Sequence, residues 1–136
     1  MGIQIPVADS AEAKPIDAPR LAFPVPEQQK GHEAVFAAVF VIDTLGRVEM
    51  TSVTFSRAEP PLFYDAACAA LGKTTYTTVR RADVATRAIV VQSFEFKLMG
   101  GALEHTRADV EGLRQVIRRE GYSPLMARFA KLPHCQ

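Results

Sequence analysis

A chain of 136 residues with 48% apolar and 23% charged side chains is sized for one domain around one core, and that balance excludes wholesale disorder. Sixteen basic against fifteen acidic side chains leave a formal charge of +1, which offers no electrostatic footprint for nucleic acid or for an anionic lipid surface. The longest apolar run, Ala34–Ile42, has nine residues, about half of the ~18 that a spanning helix needs, so no transmembrane segment is expected.

The opening MGIQIPVADS has neither a charged n-region nor an apolar h-region, so no secretory signal is expected. Gly2 stands where myristoylation needs it, but that motif wants Ser or Thr at position 6 and Pro6 is there. Residues 1–29 hold five of the nine prolines (Pro6, Pro15, Pro19, Pro24, Pro26). Proline lacks an amide donor and drives its predecessor toward extended backbone. This segment is therefore expected as an extended arm that makes few regular hydrogen bonds with its own domain and is available to a partner.

Residues 34–42 and 47–56 predict a β-hairpin. In the first strand Phe36, Ala38, Phe40 and Ile42 share one face and Val35, Ala37, Val39 and Val41 the other, a pattern for a strand covered on both sides. The return strand VEMTSVTFS is rich in β-branched residues. Between them lies Asp43-Thr44-Leu45-Gly46, where Asp43 caps the turn and Gly46 takes positive φ. In AEPPLFYDAACAALGK, Pro60 and Pro61 suit a first helical turn, Phe63, Ala67, Ala70 and Leu71 recur at helical spacing, and Gly72 marks the stop. TTYTTV is β-prone, RRADVATR reads as a connector, and AIVVQSFEFKL is a strand with Phe94, Phe96 and Leu98 on one face.

After Gly100-Gly101 the period becomes helical. Thr106 and Asp109 form a capping box, Val110, Leu113, Val116 and Ile117 a stripe, and Gly121 its end. Ser123-Pro124 begins a second short helix with Leu125, Met126, Phe129 and Leu132. The organisation expected is an arm over 1–29, a small α+β domain over 30–99 with about three antiparallel strands and one packed helix, and a helical tail over 100–136. Its core should join Phe36, Phe40, Ile42, Val48, Phe63, Leu71, Phe94 and Phe96.

Little in the chain suggests catalysis. His134-Cys135 is the one adjacent pair of base and nucleophile types, and a thiol enzyme using Cys68 or Cys135 is the rival reading. Cys68 sits among alanines, where a thiol is usually buried and inert; a Cys68–Cys135 disulfide is the alternative in an oxidising compartment. His32, His105 and His134 have no metal-ligand spacing, and neither a phosphate loop nor a serine elbow occurs. No catalytic, cofactor or metal site is expected. Arg80-Arg81 and Arg118-Arg119 are either anchors for an acidic partner or for lipid head groups, or solvated faces.

From residue 23 to 98 a series of motifs falls in a familiar order. Phe23-Pro24 leads in, Phe40-Val41-Ile42-Asp43 ends a strand, and Gly46-Arg47-Val48 opens its return. Pro61-Leu62-Phe63-Tyr64-Asp65-Ala66-Ala67-Cys68-Ala69-Ala70-Leu71 forms a helix and Phe94-Glu95-Phe96-Lys97-Leu98 closes on a strand. The series resembles the C-terminal domain of TonB-type energy transducers. The resemblance implies a domain that captures an extended partner segment at a sheet edge. It also implies a bacterial cell envelope, with the periplasmic side favoured; the missing export signal keeps a cytoplasmic location open. With no anchor and two helices beyond the family pattern, the expected role is an accessory or stabilising subunit of an envelope-associated assembly. It would bind protein partners, in a membrane-associated complex, through a sheet edge, the arm and the tail. The alternative is a transducer domain that engages outer-membrane transporters.

Overall fold

A computed structural model describes residues 5–98 and 104–135, the side chains of 104–108 excepted. Gly2, Gly100-Gly101 and the side chains of His105 and Thr106 lie outside the described residues. The protein is mixed α+β. Two nine-residue strands, β2 (Ala34–Ile42) and β7 (Ala88–Phe96), pair antiparallel along their whole length, from Ala34↔Phe96 to Ile42↔Ala88. β3 (Thr54–Phe55) joins the other side of β2 opposite Ala38 and Val39, giving the order β3-β2-β7.

Both faces of β2 are apolar because both are covered. On one face Phe36, Phe40, Ile42, Val90, Phe94 and Phe96 pack with Phe63, Ala67 and Leu71 of helix α2 (Pro61–Leu71). On the other, Ala37, Val39, Val41, Ile89 and Val91 meet Val110 and Ile117 of α3 (Glu104–Glu120) and Leu125 of α4 (Tyr122–Arg128). The alternation of period two sorts the strand side chains into these two clusters. Val48, named with the core, is half-buried and packs against the first cluster. The tail stripe thus closes the second face of the protein's own sheet. No helix among the described residues is long and apolar enough to cross a membrane.

The turn after β2 is built by side chain and backbone together. Asp43 Oδ1 accepts hydrogen bonds from the Leu45 and Arg47 amides, each at 2.9 Å, and Gly46 has φ +82°. Burial alone would raise the Asp43 carboxyl, but the Arg47 and Leu45 amides and the Arg47 charge outweigh it and hold its pKa below the ordinary 3.8. The return segment is not the continuous strand expected over 47–56. After one bridge, Ile42↔Val48, a 3₁₀ turn spans Met50–Ser52 before β3. The cause is hydroxyl competition: Ser52 Oγ donates to Glu49 O (2.6 Å) and accepts from the Val41 amide (2.8 Å), taking the place of a ladder bond. Ser56 Oγ does the same for the Ala37 amide at 3.0 Å.

RRADVATR is a hairpin rather than a connector. β5 (Val79–Arg81) pairs with β6 (Val84–Thr86), and the turn residues Ala82 (φ 52°) and Asp83 (φ 64°) are both left-handed, as a two-residue hairpin turn requires. Leu98 lies beyond the end of β7 and is 41% exposed, so only Phe94 and Phe96 of the expected face point inward. α3 already runs from Glu104, which puts Thr106 inside its first turn instead of at the cap.

The arm is the largest correction. Pro6 O accepts from the Ile89 amide (2.8 Å) and the Ala8 amide donates to Ile89 O (2.9 Å), so the arm adds a parallel bridge to β7. β1 (Pro15–Asp17) pairs with β4 (Thr75–Tyr76). Thr77 Oγ1 donates to Glu12 O (2.8 Å) and accepts from the Lys14 amide (3.0 Å), and the Thr77 amide donates to Lys14 O (2.8 Å). Ala8 and Ala13 are buried, and Phe23 meets Phe63 and Phe96 edge-on before α1 (Val25–Gln29). Proline removes an amide donor but keeps its carbonyl. The arm donates through Ala8 and Lys14, and small alanines let it approach the sheet closely.

Candidate functional site

An open sheet has two edges, and in this protein the chain's own segments cover much of both. At β3, the Phe55 amide donates to Pro133 O (2.9 Å), the Cys135 amide donates to Val53 O (3.3 Å), and Thr54 bridges His134. A disulfide joins Cys68 on α2 to Cys135, their Cα atoms 5.7 Å apart. Both sulfurs are consumed in that bond, so neither Cys68 nor Cys135, the two candidate nucleophiles, is a free thiol. Spacing could not choose this pairing over an inert thiol, because 67 residues separate the partners.

At β7 the cover is partial. Ile89 exchanges hydrogen bonds with Pro6 and Ala8, so its amide and carbonyl point away from β2. Antiparallel pairing alternates in this respect from residue to residue. In an unbroken register, Val91, Ser93 and Glu95 therefore also turn their backbone groups outward. The arm leaves the edge at Asp9, where Asp9 Oδ1 caps a turn through the Ala11 and Glu12 amides at 2.9 and 2.8 Å. Among the described residues, no main-chain bond reaches the amides of Val91 or Ser93. Ser93 O accepts from Gln92 Nε2 at 3.1 Å.

A groove of about 530 Å³ lies on the opposite side of the sheet, between β2 and the tail. Val35, Leu113, Val116 and Phe129 line it as half-buried apolar side chains, with Arg57 and Asp109 at its rim. Val35 O accepts only a long bond, 3.5 Å, from Arg57 Nη1. The sequence pattern placed Leu113, Val116 and Phe129 on helix stripes but offered no means of seeing that they form a groove with β2.

The charged doublets are largely engaged within the fold. Arg81 binds Glu12 and pins the arm, Arg80 Nη1 donates to Asp83 O of its own hairpin, and Arg118 lies 3.4 Å from Glu111. Hydrogen bonds from Arg114, with the charges of Arg114 and Arg118, outweigh desolvation and hold Glu111 below its ordinary pKa. Arg114 is buried on α3 and carries an Nε with no hydrogen-bond partner among the described residues. His32 Nδ1 lies 2.7 Å from the buried carboxylate of Glu27, and His134 is exposed beside β3. Burial raises the Tyr64 hydroxyl to about 12 and that of Tyr76 further; they donate to Arg57 O and to Gln92 Oε1 (3.2 Å) respectively. Among the described residues no three His, Cys, Asp or Glu side chains converge as a metal site. No family model and no curated protein matches the chain.

Proposed function

We propose that this is a non-catalytic protein-interaction domain, an accessory or stabilising subunit of a larger envelope-associated assembly. It takes an extended segment of a partner protein as an added strand on β7. The observation that carries the reading is the stretch 91–93. Its outward backbone positions continue the line that the arm already pairs at Ile89, and the arm turns away before reaching them. Unpaired strand edges template further pairing, and backbone bonds made there give affinity with little demand on partner sequence. The resemblance of 23–98 to TonB-type C-terminal domains, which capture extended segments, supports the same reading. The arm and tail are engaged on the sheet, so recognition rests on the edge.

The test uses proline at an outward position. Ser93→Pro removes an amide that the fold does not use, and proline is tolerated at strand edges. The variant should fold as the wild type does and lose the partners that wild type captures from native envelope membranes. If Ser93→Pro is folded and captures the same proteins at the same yield, strand addition at β7 is wrong.

A further inference from the structure

The cover on β3 differs in kind from the cover on β7. The arm runs from its bridge at Ile89 into a capped turn, the buried Ala8 and Ala13, and the Thr77 bonds. The segment 133–135 has far less. Among the described residues, its pairing to β3 consists of two main-chain bonds, at 2.9 and 3.3 Å, and its covalent tie is the bond from Cys135 to Cys68. Pro133 has no amide to add, and His134 is exposed. The two cysteines are also unequally placed: Cys135 is 3% exposed, whereas Cys68 is half-buried on α2 beside the exposed Ala69.

We propose that the Cys68–Cys135 disulfide is a redox latch that keeps the segment 133–135 on the edge of β3. The reductant is a dithiol. One of its thiolates attacks Sγ of Cys68, the more open residue, the Cys68–Cys135 bond breaks, and Cys135 leaves as a thiolate that takes up a proton. The second thiolate of the reductant then attacks the mixed disulfide; Cys68 leaves and is protonated, and the reductant departs as a cyclic disulfide. Two electrons pass to the protein, and two thiols replace one disulfide. The segment is then held by its two main-chain bonds to β3 and by the packing of the buried Cys135 side chain, and local opening of so small a unit frees the Phe55 amide and the Val53 carbonyl. That opened edge accepts an extended partner segment, a consequence that rests on the strand-addition reading; the latch itself does not.

Hydrogen exchange on the full chain, before and after dithiothreitol, tests the latch, with thiol alkylation and mass measurement reporting the state of the bond. On reduction, the Phe55 and Cys135 amides should exchange about tenfold faster or more, as expected for local opening, while Phe40 and Val90 in the β2–β7 pair keep their protection. Cys68→Ser should reproduce this pattern without reductant. Three outcomes overturn the latch. The first is confirmed reduction with unchanged exchange at Phe55 and Cys135. The second is a bond that dithiothreitol does not open in the folded protein. The third is loss of protection throughout β2–β7, which makes the disulfide a staple of the whole fold. Partner capture by Ser93→Pro is read on β7, so failure of the strand-addition reading and failure of the latch are told apart.

Discussion

Gly46 faces two separate constraints, and a second glycine allows them to be measured apart. Its φ is +82°, and a Cβ added to it would sit 2.0 Å from Tyr76 O. A left-handed backbone costs an L-residue about 1–2 kcal/mol, offset by about 0.4–1 kcal/mol because alanine restricts the unfolded chain more than glycine does. The collision is with main chain, so the β4 backbone must move. That movement puts at risk the 2.8 Å bond from the Tyr76 amide to Gly46 O. Losing a buried donor's partner costs about 1–3 kcal/mol. Gly46→Ala should therefore destabilise by about 3 kcal/mol, roughly a 10 °C fall in melting temperature for a domain of this size. Gly31 provides the control, since it has φ +72° and an added Cβ would meet nothing within 4 Å. Gly31→Ala should show the backbone cost alone, about 1 kcal/mol. Thermal and urea unfolding of both variants gives the difference. If the two lose the same stability, contact with Tyr76 plays no part and the turn is anchored by φ alone.

Phe40 is fully buried between the sheet and Tyr76, and Phe40→Ala should cost about 3–5 kcal/mol in urea unfolding; a midpoint near wild type would mean that the core is misplaced. Asp43 has a lowered pKa in the fold, so its contribution to stability is fully present above the ordinary 3.8 and is lost as pH falls through the lower folded value. Melting curves of wild type and Asp43→Ala should accordingly differ at neutral pH and converge in acid; a gap that widens in acid reverses the sign and refutes the assignment. Thr77→Val strips Glu12 O and the Lys14 amide of their partner and should cost about 1–3 kcal/mol, with faster exchange along the arm. Removing residues 1–22 should lower the melting temperature outright, and an unchanged value would return the arm to the free segment that its prolines suggest.

What could be read in the chain followed local chemistry. Asp43 and Gly46 mark their turn because one supplies an acceptor and the other a conformation, both within four residues. The doubly apolar 34–42 indicates cover on two sides, and the tail stripe provides the second. What stayed hidden depends on partners distant in sequence. Ala82-Asp83 lacks the Asn-Gly chemistry that advertises a left-handed turn, so β5 and β6 look like a connector. The serines that interrupt the return strand act through hydroxyls on β2, and a β-branched count cannot register them. Five prolines suggest a loose arm, yet the bonds that dock it use Ile89 and Thr77, more than sixty positions away. The open part of β7 was equally invisible. Which part of the edge is left unpaired among the described residues follows from strand order and from where the arm turns off, and neither is encoded locally.

The full pairing of β2 with β7 also governs the order in which the protein is able to form. β2 is apolar at every one of its nine positions, and its long partner ends at Phe96. β3 and α2 follow β2 closely, but the segment that covers β3 arrives at 133–135, and the helices that cover the second face lie beyond residue 103. On a ribosome, synthesis reaches β2 early and must continue through β7 before that strand gains its main partner. Contacts of such separation slow folding, and an unpaired apolar strand is prone to association while it waits. The partners that the Val41 and Ala37 amides find in the folded protein, the hydroxyls of Ser52 and Ser56, lie by contrast close in sequence and need no such wait.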